Sequence, residues 1–146
     1  AVTILAACEL GKRRQASDIE KRLNLNSAIS IYNYMYPKVQ DKDIEEAWIL
    51  LLNQKLDLIE AKCISHGGIT GTAIDIRIIL KEALLRNATA IALCHNHPSG
   101  NPRPSREDDN ITNSLKKAAD TMHIYFVDHV IVAQQHFYSY REEGRI

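Results

Sequence analysis

Two short runs, residues 48–52 and 90–95, constrain this chain most. Each is apolar on both faces until polar residues close it. A segment too short for a core helix, with no polar face to turn to water, reads as a buried strand. Around them the pattern changes to helical spacing. Ser27 caps a predicted helix to about Pro37, with Ile29, Ile31, Tyr32 and Met35 on its inner side. Asp75 opens another, with Ile76, Ile79, Leu80, Ala83 and Leu84 on one stripe, ending near Asn87. Ser105 opens a third, to about Met122, carrying Ile111, Leu115, Ala118, Ala119 and Met122. A turn at 53–57 and a strand at 58–65 complete a hairpin, Gly67, Gly68 and Gly71 mark a loop, and strands at 124–133 and 137–141 close the chain. The order α-α-β-β-α-β-α-β-β predicts a mixed α/β sandwich, one mixed sheet with flanking helices.

At 146 residues the chain fits one domain that buries roughly 70% of its unfolded surface. Lys plus Arg equals Asp plus Glu at 18 each, which excludes a strongly basic nucleic-acid clamp as a description of the whole chain. Cys8, Cys63 and Cys94 are an odd number in apolar surroundings. They read as reduced core thiols in a cytoplasmic protein rather than as a disulfide framework. No apolar stretch approaches a membrane span. The chain starts without methionine in a segment that reads as helix, so residues 1–26 are expected to be a helical lead belonging to a longer protein. Its Lys12-Arg13-Arg14 cluster reads as a solvated helix end.

The chemistry concentrates at His95-Asn96-His97-Pro98-Ser99-Gly100 and the following Ser105-Arg106-Glu107-Asp108. Alternate residues of a strand share a face, so His95 and His97 stand about 6.6 Å apart at Cα and can converge on one ion. Asp108, third after the capping Ser105, can turn back as a third ligand, although the same pair also makes an ordinary capping box. Two imidazoles and a carboxylate suit a catalytic zinc with an activated water; they also suit non-haem iron. Cys94 falls on the opposite face and is excluded as a ligand. His66, His123, His129 and His136 lack such spacing and read as structural. A hydrolase also needs a proton-transfer group that is not a ligand, and Glu45 or Glu46, just before the 48–52 strand, can supply it. The letters HNH do not make a nuclease, and a nucleobase deaminase needs a Cys-x-x-Cys that is absent.

His-x-His, seven residues, Ser, two residues, Asp resembles the metalloenzyme signature of the JAB1/MPN (JAMM) family, and His95, His97, Ser105 and Asp108 match it without a gap. The stretches HNHPSG and PSREDD, VDHVIV at 127–132 and SYREEG at 139–144 resemble its RadC-like branch. The resemblance implies an α+β, cytidine-deaminase-like MPN sandwich over residues 27–146, preceded by the tail of a helix-hairpin-helix region. It implies zinc held by His95, His97 and Asp108, Glu45 as the general base and Ser105 as donor to the oxyanion. Asp75 stands where the branch often has a histidine. The implied activity is that of a zinc metallopeptidase or isopeptidase acting on a peptide or protein. The alternative is a DNA-repair-associated module that reaches DNA through the region upstream.

Overall fold

The computed structural model describes residues 2–20, 22–67 and 73–146, and the side chains of 12–20 are outside that description. The Lys12-Arg13-Arg14 cluster, Gly68 and Gly71 therefore fall outside it. Nine elements follow one another: α1 (Val2–Glu20), α2 (Ala28–Val39), β1 (Glu46–Leu52), β2 (Leu58–His66), α3 (Ile76–Leu85), β3 (Ala90–Asn96), α4 (Arg106–Thr121), β4 (Tyr125–Ala133) and β5 (His136–Ser139). This is the predicted order, in a mixed α/β molecule. The strands form one sheet in the order β2-β1-β3-β4-β5, with β3 and β4 parallel and the other neighbours antiparallel.

The two apolar runs, β1 and β3, are central neighbours, which is why neither has a polar face. On one side Leu50, Leu52, Ala90, Ala92 and Cys94 pack against Ile31, Met35 and Val39 of α2. On the other, Ile49, Leu51, Ile91 and Leu93 pack against Ile79 and Ala83 of α3 and Leu115 and Ala119 of α4. Side-chain alternation thus sends neighbouring residues of one strand into separate cores.

All three helices that cover the sheet have side-chain caps. Ser27 and Ser105 complete capping boxes, and Asp75 Oδ1 accepts from the Arg77 N–H. Asp75 is thus a helix cap that also pairs with the Arg77 guanidinium at the surface. Hydrophobic stripes were predicted slightly too wide. Ile29, Leu84 and Met122 are exposed, and Glu82, buried on α3, pairs instead with Lys62 of β2. The helical lead is also shorter than predicted. The chain leaves α1 after Glu20, and by Leu23–Leu25 it hydrogen-bonds the β1–β2 connection, with Leu25 in the core.

The cysteine reading needs correction as well. Cys94 is buried, but Cys63 is half-buried and Cys8 is exposed on α1. An apolar neighbourhood in sequence does not bury a residue whose helix face has no layer against it. Among the described residues, no helix is long and apolar enough to cross a membrane.

Candidate metal centre

Glu45, His95, His97 and Asp108 converge where β1, β3 and α4 meet, their ligand atoms within 4.8 Å of one another. Each arrives for a local reason. His95 lies near the end of the fully buried β3, on the face shared with Leu93 and Ile91, while Cys94 is in the α2-side core. His97 follows at strand spacing, and the chain then reverses. The Gly100 N–H donates to the His97 carbonyl at 3.0 Å, with Gly100 at a φ of +79°, which favours glycine. The reversal returns the Asn101 carbonyl to within 2.7 Å of His97 Nδ1. A carbonyl only accepts, so Nδ1 carries the proton and His97 Nε2 is left with a lone pair whenever the ring is neutral.

Asp108 serves two purposes with two oxygens. Its Oδ2 accepts from the Ser105 N–H at 2.7 Å and the Ser105 hydroxyl at 2.8 Å, completing the box. Its Oδ1 stands 3.2 Å from His95 Nε2. The capping box and the ligand geometry coexist, and the box aims the carboxylate. Burial pushes the Asp108 carboxyl up, but His95 and His97 hold it well below the usual carboxylate range. Burial pushes His97 down, but Asp108 and the Asn101 carbonyl raise it above its ordinary value overall.

The strand register separates the two glutamates. Ala47 lies opposite His95 in the antiparallel β1–β3 pair. Glu45, two residues before Ala47, therefore emerges on the histidine face, and its Oε1 is 3.9 Å from His95 Nε2. Glu46 points the other way, to the Trp48 indole N–H, the Lys42 ammonium and the His66 ring. Asn96, which the sequence reading passed over, secures this arrangement. Its Oδ1 accepts from the Glu46 N–H at 2.7 Å, and its Nδ2 donates to the Ile44 carbonyl at 3.0 Å. An asparagine between two histidines clamps the backbone that carries Glu45.

His129 was also missed as a neighbour of the site. Sequence spacing carries no sign of it, because it comes from β4, the parallel neighbour of β3. The ring is wholly buried, stacked on Tyr140 and 2.8 Å from His95 Nδ1. Burial, then the nearby His95, hold it far below the ordinary histidine range. His66, His123 and His136 are exposed, and none belongs to this cluster.

The donor set suits a small divalent ion. Ligands about 2.0–2.2 Å from a tetrahedral zinc lie about 3.3 Å from one another. Here His95 Nε2 and His97 Nε2 are 2.9 Å apart, and the two imidazoles are 3.2 and 3.5 Å from the Asp108 oxygens. A polar cleft of about 530 Å3 opens beside His97, with Tyr36, Lys42, Asp43, Asn96 and Gln134 among its walls.

A family model described as the RadC-like JAB domain matches residues 25–145. The chain belongs to this family. Its similar relatives include UPF0758 proteins of Flavobacterium johnsoniae (40% identical over 99% of this chain and 63% of the relative) and Symbiobacterium thermophilum (38%, 97% and 60%). A UPF0758 protein of Thermotoga maritima is 36% identical over 100% of the chain and 65% of the relative. The chain thus spans less than two thirds of the length of these curated relatives. RadC-like JAB membership and the four-residue cluster together support metal-dependent hydrolytic chemistry.

Proposed function

We propose that this RadC-like JAB domain is a zinc metallopeptidase or isopeptidase, with His95, His97 and Asp108 as ligands and Glu45 as general base. One observation carries the reading. Three donors lie 2.9–3.5 Å apart, while the second carboxylate of the cluster, Glu45, stands 3.9 Å from His95 Nε2. A carboxylate at that remove is placed to handle a proton rather than to complete the ligand set.

Bound zinc would polarise a substrate carbonyl and lower the pKa of water to about 7. The remaining work falls to the chain. Glu45, with its side chain about one quarter exposed, takes the proton of the attacking water and returns it to the leaving amine. Ser105 is the proposed donor to the tetrahedral oxyanion. Its proton is directed at Asp108 Oδ2 in the resting arrangement, so this role requires the hydroxyl to turn from carboxylate to oxyanion. The cleft beside His97, with Lys42, Asp43 and Gln134 in its lining, is the proposed seat of the peptide segment.

The test is a Glu45→Gln variant. It should hold about one zinc per chain, as the unsubstituted protein should, while hydrolysis of a peptide or isopeptide substrate falls about 10²–10⁴-fold. Hydrolysis at the unsubstituted rate would overturn the assignment. The same variant, used as bait, should retain substrates that the active protein releases.

A further inference from the structure

Three polar contacts stand in line behind His95. The Thr112 hydroxyl donates to the Asp108 backbone carbonyl at 2.6 Å. The same Oγ1 lies 2.6 Å from His129 Nδ1, and His129 Nε2 lies 2.8 Å from His95 Nδ1. The direction of every bond follows from the first. Two oxygens at 2.6 Å need a proton between them, and a carbonyl has none to give. Thr112 has one proton, committed there, so it can only accept from His129, and His129 Nδ1 carries hydrogen.

His129 is wholly buried, and its ring nitrogens meet a hydroxyl and another imidazole rather than a carboxylate. A neutral ring with its proton on Nδ1 has its lone pair on Nε2. His95 Nδ1 must then be the donor to it, which leaves the lone pair of His95 on Nε2. That is the atom 3.2 Å from Asp108 Oδ1 and 2.9 Å from His97 Nε2. The relay starts one helical turn from its goal. Thr112 is four residues after Asp108 on α4, so the helix that presents the carboxylate also sets the imidazole's tautomer.

We propose that Thr112 and His129 are positioning residues that lock His95 with its proton on Nδ1 and its Nε2 lone pair facing Asp108 and His97. The tautomer is a property of the metal-free chain. Only its consequence for metal affinity rests on the metal-site reading above.

Long-range ¹H–¹⁵N correlation spectra of the metal-free protein read the tautomers directly. Both His95 and His129 should carry hydrogen on Nδ1. Thr112→Val, which keeps the shape and removes the hydroxyl, should lose that uniform signature at His95. Zinc affinity, measured by chelator competition, should fall about 10–100-fold in Thr112→Val and His129→Phe. His129→Gln, whose amide oxygen can still accept from His95 Nδ1, should recover part of the loss, with amide spectra verifying the fold of each variant. Hydrogen on Nε2 of His95 in the unsubstituted protein would overturn the proposal, as would undiminished zinc affinity in a folded Thr112→Val. A chain that takes up no zinc yet shows hydrogen on Nδ1 of both rings would overturn the metal-site reading and support the relay.

Discussion

Two groups of metal-binding residue types lie on opposite faces of β1, and adjacent glutamates lead into them. Glu45 joins His95, His97 and Asp108 on the α4 side; Glu46 joins Cys63 and His66 on the α2 side. By residue type alone both are candidate ion sites, but their surroundings differ. In the first group three candidate ligand residues are largely buried, and a hydrogen-bond partner orients each: Ser105 on Asp108, Asn101 on His97, His129 on His95. In the second, the His66 side chain is 68% exposed and 3.8 Å from Cys63 Sγ. The Glu46 oxygen it faces already has the Lys42 ammonium at 3.3 Å. Burial, then Glu46, push the Cys63 thiol up, away from the thiolate a metal needs. A site therefore requires oriented, uncommitted donors as well as neighbouring ligand types, and a resident ammonium removes the electrostatic reason for a metal ion.

The largest effect that can break this contrast is metal content. His95→Ala and Asp108→Ala should each take bound zinc from about one per chain to none, measured after exhaustive dialysis. Cys63→Ser and His66→Ala should leave it unchanged. Zinc that persists in His95→Ala and disappears when Cys63→Ser is added would place the ion on the wrong face of β1.

A smaller effect concerns orientation. Ser105→Ala removes the hydroxyl from Asp108 and the cap from α4. It should lower stability by about 1 kcal/mol in denaturant titration and weaken zinc binding about 10-fold. Loss of stability with full zinc affinity would show that Asp108 keeps its aim without the box.

The smallest effect separates the two glutamates. Glu46→Gln should leave hydrolysis within about twofold while costing about 1 kcal/mol of stability at neutral pH, because it loses the partnership with Lys42. Burial pushes the Glu46 carboxyl up, but Trp48 and Lys42 push it further down, to below the ordinary glutamate range. A carboxyl depressed on folding stabilises fully above its unfolded value, and that contribution is lost as pH falls through the folded value. The stability difference between Glu46→Gln and the unsubstituted protein should therefore close on acidification. A difference independent of pH would assign it to packing.

Strand alternation, capping chemistry and apolar runs are local properties, and the chain stated them openly. They put His95 and His97 on one face, Cys94 on the other, Asp108 three residues past a cap, and two buried strands in a mixed sheet flanked by helices. Stripe widths were less legible, because Leu84 and Met122 look like core residues until the covering layer ends short of them. The choice between Glu45 and Glu46 waited on β1 lying antiparallel to β3 with Ala47 opposite His95, since a one-residue slip would exchange them. His129 and Thr112 waited on the parallel β3–β4 pairing and on α4 packing against it. His129 is 34 residues from His95 in the chain and 2.8 Å from its ring in space. The sequence by itself determined which residue types could bind a metal and which way each strand presents them. Tertiary structure decided which carboxylate faces the imidazoles and which buried ring lies behind them, because register and layer packing are set by contacts distant in the chain.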